Sequence, residues 1–448
     1  MKAERQWWWV VTGISIGIGY CTYGIVYSYG VFFGAIQAEF HTSAVVTGWV
    51  QSLCLACSQL FSILGQMLVR RFGFFCVITT ATISYAICLL LSSVVPSVSY
   101  LYLTYGIGVG ITVAISTKPA LQLVLEWVPI QSRMRATGLA TIGSTIGLLT
   151  LSPLIETVLT HVGWRWTFRI CSGFVFIVAL IAATLLYVTL TKTQDTTTDS
   201  KQTDSKDGEA ASEVSQREVL YFPEMWIFAT MLVIVSCAQG FTMINLVDFA
   251  TKSGFTLEQG ALVLSVNGGA EVVGKIILAL FLDKLPFPKI LIWPNACIVS
   301  SVICVLILYV NSFKALLIVS TVLGLMKAVF NSTGMGVAAE LFGHRYRPST
   351  STIASAPCGL GFLFAALVGG YSYDLTGSYE SALYACSGMF FICCILSLST
   401  LIWQKMCAVE RFQYTNTKQT RRDETKDCYA KLNIIEDKTL PSQNATQI

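Results

Sequence analysis

"TKTQDTTTDSKQTDSKDGEAASEVSQRE", residues 191–218, divides the chain in two. The stretch has no aromatic residue and hardly any aliphatic one. It cannot bury a core, and it reads as a disordered linker. Six apolar stretches precede it, with cores at 8–36, 47–69, 74–94, 100–125, 136–159 and 166–190. Six more follow, at 223–250, 259–282, 290–310, 315–341, 350–372 and 381–404. Each approaches or exceeds the roughly 20 residues that a helix needs to cross a hydrocarbon core. The composition agrees, with 54% hydrophobic and 12% charged residues, against about 25% charged in a soluble domain. The expected fold is an all-α membrane protein with twelve transmembrane helices in two six-helix pseudo-repeat bundles. Its divisions are an N-terminal bundle over 1–190, a linker over 191–222, a C-terminal bundle over 223–405 and a polar tail over 406–448.

The short loops set the expected orientation. One set carries Arg70, Arg71, Arg133, Arg135, Lys284, Lys289, Arg345 and Arg347. The opposite set carries Arg165, Lys252 and Lys314, with Arg169 at its margin. The first set, both termini and the linker are therefore expected in the cytoplasm. The first apolar stretch is long enough to span and reads as the first helix, not a cleaved leader.

The two halves echo each other. "MLVRRFG" (67–73) and "LFLDKLP" (280–286) each place a basic turn after an apolar helix. Glu126 and Glu340 each precede a basic loop, and Arg135 and Arg347 each open a Gly/Ser/Thr-rich segment. Paired six-helix halves are a transporter architecture. The small-residue pairs Gly13/Gly17 and Gly143/Gly147 are expected to let helices approach closely.

Several classes are excluded. No G-x-x-x-x-G-K-[ST] phosphate loop is present, so an ATP-driven pump is not expected. Three scattered histidines assemble no hydrolytic triad, and no metal site or cofactor is expected. The fifteen cysteines read as free thiols used as small apolar residues. Nucleic-acid binding is not expected, and neither is enzymatic chemistry.

Ionisable residues inside spans are costly, about 2.5–3.5 kcal/mol each at the centre, and usually face the bundle interior. The candidates are Lys118, Glu271, Lys275 and Lys327, with Asp248 and Glu156 closer to the outer ends. Glu271 and Lys275 are four apart and share a helix face. Two readings stand. The pair neutralises its own charge, or the lysine holds an anion while the glutamate takes a proton and releases it. Lys118 precedes Pro119, which can bend a helix; it either faces that site or snorkels to an interface. Lys327 lies nearer mid-span. Glu126 and Glu340, near Arg133 and Arg135, are expected to form gating or structural ion pairs.

Several passages carry a family resemblance. "KPALQLVLEW" opens residues 118–168, which continue through "RMRATGLATIGSTIGLLTLSPLIE" to Gly163-Trp164-Arg165. "GGYSYDLTGSYESALYACSG" (369–388) contains Gly-x-x-x-Asp ending at Asp374, then Tyr379, and "VFFGAIQAEF" closes the first helix. These resemble the monocarboxylate transporter family of the major facilitator superfamily along most of both halves. In that family an Asp-x-x-x-Arg pair on the eighth helix serves substrate and proton binding. Glu271 and Lys275 match it in charge and spacing, although lysine lacks the bidentate fork of arginine. The family's helix-1 lysine matches Tyr27 here, and a tenth-helix aromatic position matches Lys327. Its opening Asp-Gly-Gly-x-Gly-Trp signature is reduced to "RQWWWVV" (5–11).

The resemblance implies a secondary transporter of small monocarboxylates or related organic anions, working by alternating access in the plasma membrane. Lys275, Lys327 and Lys118 would attract the carboxylate, with Tyr23, Tyr27 and Asn331 lining the cavity. Glu271 would be the proton acceptor or charge partner, with H+ as the coupling ion; Arg165 joins the gating or structural group. The alternative is a pH-independent uniporter of amino acids or other zwitterions, and a more distant one is a non-transporting receptor or scaffold. Some family members need a single-span ancillary glycoprotein, a partner on which this sequence is silent.

Overall fold

The computed structural model describes residues 4–127, 133–194, 223–281, 289–342 and 347–407. Most of the expected linker and tail lie outside them. All regular structure among the described residues is helical. Residues Met1–Leu398 form one compact unit. A second unit begins at Ser399, and of it the end of helix Glu380–Cys407 is described.

Ten long apolar helices and a shorter one, Ala44–Leu60, carry twelve spans among the described residues. Helix Arg133–Gln194 has 62 residues and would run about 93 Å if straight, some three hydrocarbon thicknesses. Gly163 breaks it, with φ 80° and ψ 165°. Gly73 breaks helix Ser62–Ser92 in the same way, at φ 79° and ψ 163°. Glycine reaches this region without a Cβ clash. The second and third spans thus meet at Gly73, and the fifth and sixth at Gly163. The ends of the spans are named below by their loops, numbered after the preceding span. The odd-loop end carries the loops near residues 42, 95, 163, 254, 311 and 378.

The halves repeat one packing scheme. A Cβ on Gly147 of the fifth span would overlap the carbonyl of Tyr20 on the first, and one on Gly361 of the eleventh would overlap Val233 of the seventh. Gly110 of the fourth meets Cys54 of the second, and Gly324 of the tenth meets Asn267 of the eighth. Backbones touch where side chains are absent. The expectation for Gly143/Gly147 is met, because both face the first span. That for Gly13/Gly17 is corrected: nothing lies within 4 Å of a Cβ on either. The face that meets the fifth span runs instead through Ile16, Tyr20 and Gly24, so four-residue spacing gave the motif but not the face.

Local breaks place the site residues. Helix Glu4–Tyr27 stops at Ser28 before helix Tyr29–Phe40 resumes. Ser28 Oγ donates to the Gly24 carbonyl at 2.8 Å, a bond that competes with the backbone ladder and bends helices. Pro119 lies inside helix Gly110–Trp127 and does not end it. The departure from α geometry in the fourth span lies earlier, in the π-helical turns Tyr102–Val109.

At the odd-loop end the halves are tied together. Asp374 Oδ1 and Oδ2 accept the backbone N–H groups of Ala44 and Val45 at 3.0 and 3.1 Å. Gly370 packs directly on Val45, and Gly30 of the first span packs on Met243 of the seventh. Deeper, Ser62 Oγ donates to Ser355 Oγ at 3.0 Å, and Gly268 of the eighth span meets Leu148 of the fifth.

Candidate binding site in the eighth and tenth spans

The eighth span, helix Leu257–Phe281, and the tenth, helix Phe313–Phe342, run side by side. Asn267 Nδ2 donates to the Ser320 carbonyl at 3.0 Å, and Ser320 Oγ donates to the Val263 carbonyl at 2.9 Å. Gly324 sits against Asn267, and a Cβ on Gly274 would lie 2.7 Å from that of Ala328. These contacts bring the two backbones together at the level of Glu271.

Glu271 is 1% exposed. Its Oε1 lies 2.9 Å from Lys275 Nζ and accepts from Asn331 Nδ2 at 2.9 Å. Its Oε2 lies 3.0 Å from Lys327 Nζ. Two residue pairs of i,i+4 spacing, 271/275 and 327/331, therefore face each other across the helix contact. Lys327 also lies 5.3 Å from the centre of the Tyr27 ring, an attractive cation–π placement. Tyr27 packs on Tyr23 with ring centres 5.2 Å apart.

The charge count is unequal: one carboxylate against two ammonium groups. Neither Glu271 Oε2 nor Lys327 Nζ has an aligned hydrogen-bond partner among the described residues. Lys327 thus keeps unfilled donors in a nearly water-free place, and the cluster can accept one further anion.

Of the expected site residues, Glu271, Lys275, Lys327, Asn331 and Tyr27 come together, with Tyr23 behind Tyr27. Lys118 is half-buried and makes no ion pair with this cluster among the described residues. It lies within electrostatic reach of Cys358 on the eleventh span. Arg165 binds within the N-terminal half. Its Nε and Nη2 donate to Glu39 Oε1 at 3.0 and 2.8 Å, and its Nη1 donates to the Ser93 carbonyl at 3.3 Å. Trp164 Nε1 donates to Glu39 as well. The side chains of Glu126, Arg133, Arg135 and Glu340 lie outside the described residues.

A second cluster gave a weaker signal in the sequence, the i,i+4 spacing of Asp248 and Lys252. Their side chains meet at 2.7 Å, and the Tyr379 hydroxyl donates to Asp248. Burial first, then the Asp248 charge, pushes the Tyr379 phenol up, so it stays a neutral donor. Lys252 also lies 3.5 Å from the Tyr373 ring centre. The cluster fastens the end of the seventh span to the loop before the twelfth.

A model of the Major Facilitator Superfamily matches residues 16–300 and 295–405. The chain belongs to the major facilitator superfamily. It is a transporter that spans a membrane and moves a small solute, not an enzyme. The resemblance to monocarboxylate transporters read from the motifs is borne out at low identity. Monocarboxylate transporter 12-B of Danio rerio is 23% identical, with 91% of this chain and 89% of that protein covered. Monocarboxylate transporter 13 of Rattus norvegicus is 25% identical, with 87% of each covered. Monocarboxylate transporter 2 of Homo sapiens is 25% identical, with 99% of this chain and 95% of that protein covered. The fold is also that of a crystal structure of a bacterial homolog of the human lysosomal transporter Spinster, in an inward-facing and occupied conformation. That similarity has a TM-score of 0.65 at 15% identity and covers 87% of this chain and 96% of that one. The major facilitator fold accounts for the twelve spans and for the packing scheme shared by the two halves.

Proposed function

We propose that this transporter carries a small monocarboxylate across the plasma membrane, with both termini in the cytoplasm, and that it couples the carboxylate to a proton. One observation carries the reading: Glu271 is held between Lys275 and Lys327 at 2.9 and 3.0 Å. With all three charged, the empty cluster carries one net positive charge. A proton taken up by Glu271 frees both ammonium groups for the substrate. A proton and a carboxylate taken up together leave the net charge of the buried cluster unchanged, and since unbalanced buried charge is costly, the two enter and leave together. Asn331, exposed on the tenth span, gives a neutral donor beside them. The family relatives named above support the substrate class.

Closure by Asp374 at the odd-loop end, which this orientation places outside the cell, supports a carrier described with its site shut off from that side.

A second reading has its own support. The site holds both signs of charge, so Glu271 could meet the ammonium of a zwitterion while Lys327 meets its carboxylate.

Uptake of labelled lactate, pyruvate, ketone bodies and aromatic amino acids at external pH 6 and 7.5 separates the two. Wild type and Glu271→Gln are compared at equal surface expression. Acid uptake that rises at pH 6 and loses this rise in the variant is the expected result. A zwitterion that moves with no pH dependence would replace proton coupling by the second reading.

A further inference from the structure

Lys118 of the fourth span stands in an apolar helix without a counter-ion. It is half-buried, and among the described residues it has neither a hydrogen bond nor an ion pair. An ionisable side chain inside a span is costly, and where one persists it marks an ion or substrate path.

Its neighbours place it at the seam of the two halves. A Cβ on Gly65 of the second span would lie 3.3 Å from Pro119 Cγ and 3.2 Å from Ile115 Cα, so the second and fourth spans touch beside it. The eleventh span, from the other half, packs on the second at this level. Ser62 Oγ meets Ser355 Oγ at 3.0 Å, and a Cβ on Gly359 would lie 3.1 Å from the Ala56 carbonyl. Between Ser355 and Gly359 stands Cys358, half-buried, within reach of the Lys118 charge and hydrogen-bonded to Ser236 of the seventh span. A lysine snorkelling to the lipid headgroups would turn away from these inner neighbours. Depth separates it from the Glu271 cluster. Lys118 is about 20 residues past Val98 and Lys327 about 14 past Phe313, so at 1.5 Å per residue Lys118 lies about 9 Å nearer the opposite, even-loop end.

We infer that Lys118 is a second carboxylate site, separate from the Glu271 cluster, at which the substrate pauses on its way to or from the even-loop end. This rests on the carrier reading above. A carboxylate that leaves Lys275 and Lys327 in that direction comes within reach of an ammonium group that nothing else holds. The neighbours from the C-terminal half, Cys358 and Ser236, bring no carboxylate to compete for it. An unpaired charge in a cleft with low-dielectric walls raises the local concentration of the opposite ion. Lysine acts as a point charge on a flexible stem, so it holds a carboxylate without a fixed geometry, which suits a site that must also let go.

Cys358 reports on Lys118 directly. The full-length protein, purified in detergent, is reacted with an anionic and a cationic methanethiosulfonate of similar size, and labelling at Cys358 is timed by peptide mass spectrometry. Corrected for their rates with a free thiol, the anionic reagent should label wild type about tenfold faster than the cationic one. Lys118→Gln should bring that ratio to within about twofold, and Lys118→Arg should keep it. Pyruvate and lactate should slow the anionic reagent in wild type and in Lys118→Arg, but not in Lys118→Gln. Lys275→Gln should keep this protection, because the two sites are separate. Uptake of the same acids in cells is measured alongside. No charge preference, protection that survives Lys118→Gln, or protection lost in Lys275→Gln overturns the inference and leaves the carrier reading standing. So do acids that are taken up yet give no protection, and a Cys358 that neither reagent reaches, which would put Lys118 off the path. If no acid moves in wild type, the carrier reading has failed and takes this inference with it.

Discussion

The Asp374 carboxylate caps a helix from the opposite half of the molecule: it accepts the N–H of Ala44 at 3.0 Å and that of Val45 at 3.1 Å. These are the first two residues of helix Ala44–Leu60, whose own N-cap, Ser43, accepts from Val46 at 3.3 Å. The first turn of a helix has unpaired donors and partial positive charge. Asp374 satisfies two of those donors only while the odd-loop end is shut. Asp374→Ala should therefore weaken that closure by about 0.5–2 kcal/mol, a shift of about 2- to 30-fold in the closed-to-open ratio. An impermeant thiol reagent applied to that face should label Thr47→Cys faster in the Asp374→Ala background. Unchanged labelling would mean that the cap holds no gate.

Removing Glu271 leaves two buried ammonium groups facing each other. Glu271→Gln should lower the stability of the detergent-purified protein by about 3 kcal/mol. Adding Lys327→Gln should return most of the lost melting temperature, because one positive charge then remains as before, yet uptake should be lost with the lysine. Recovery of uptake in the double variant would show that the pair serves folding and not substrate.

Lys275→Gln should abolish uptake while surface expression stays near wild type, because Lys327 still balances Glu271 at 3.0 Å. Normal uptake in this variant would remove Lys275 from the anion site.

Lys327 Nζ lies over the Tyr27 ring, 5.3 Å from its centre. Tyr27→Phe should keep uptake close to wild type. Tyr27→Leu should raise the KM by about 2- to 30-fold, the equivalent of about 0.5–2 kcal/mol of cation–π attraction. Equal kinetics in the two variants would assign the site no aromatic contribution.

Gly324 allows the backbone contact that brings Lys327 to Glu271. Gly324→Ala should force the eighth and tenth spans apart and cost about 1–3 kcal/mol. Gly13→Ala, with nothing within 4 Å of its Cβ, should melt at the wild-type temperature. Melting curves of the two variants give the comparison directly.

These residues mark where sequence reading succeeds and where it stops. Glu271 and Lys275 could be paired from spacing alone, because an α-helix fixes the relation of residues four apart. Lys327 stood out as a charge in an apolar run, and its pairing with Glu271 depends on how two helices cross, to which the spacing of either is blind. Gly13/Gly17 and Gly143/Gly147 have the same spacing, yet only the second pair meets a neighbouring backbone. Asp374 and Tyr379 were visible as a motif without a task. The carboxylate of one caps a helix some 330 residues away, and the hydroxyl of the other binds Asp248.

By itself the sequence determined the class and the count: an all-helical membrane chain of twelve spans, since a bilayer demands long apolar runs with satisfied backbones and leaves them plain to see. It also determined which residues were too costly to stand in those runs without a purpose. Tertiary structure alone decided how Glu271 is shared between Lys275 and Lys327, which glycines touch, and which half Asp374 caps. Such relations are set by contacts between helices, where a rotation of a helix by one residue exchanges the face that meets its neighbour.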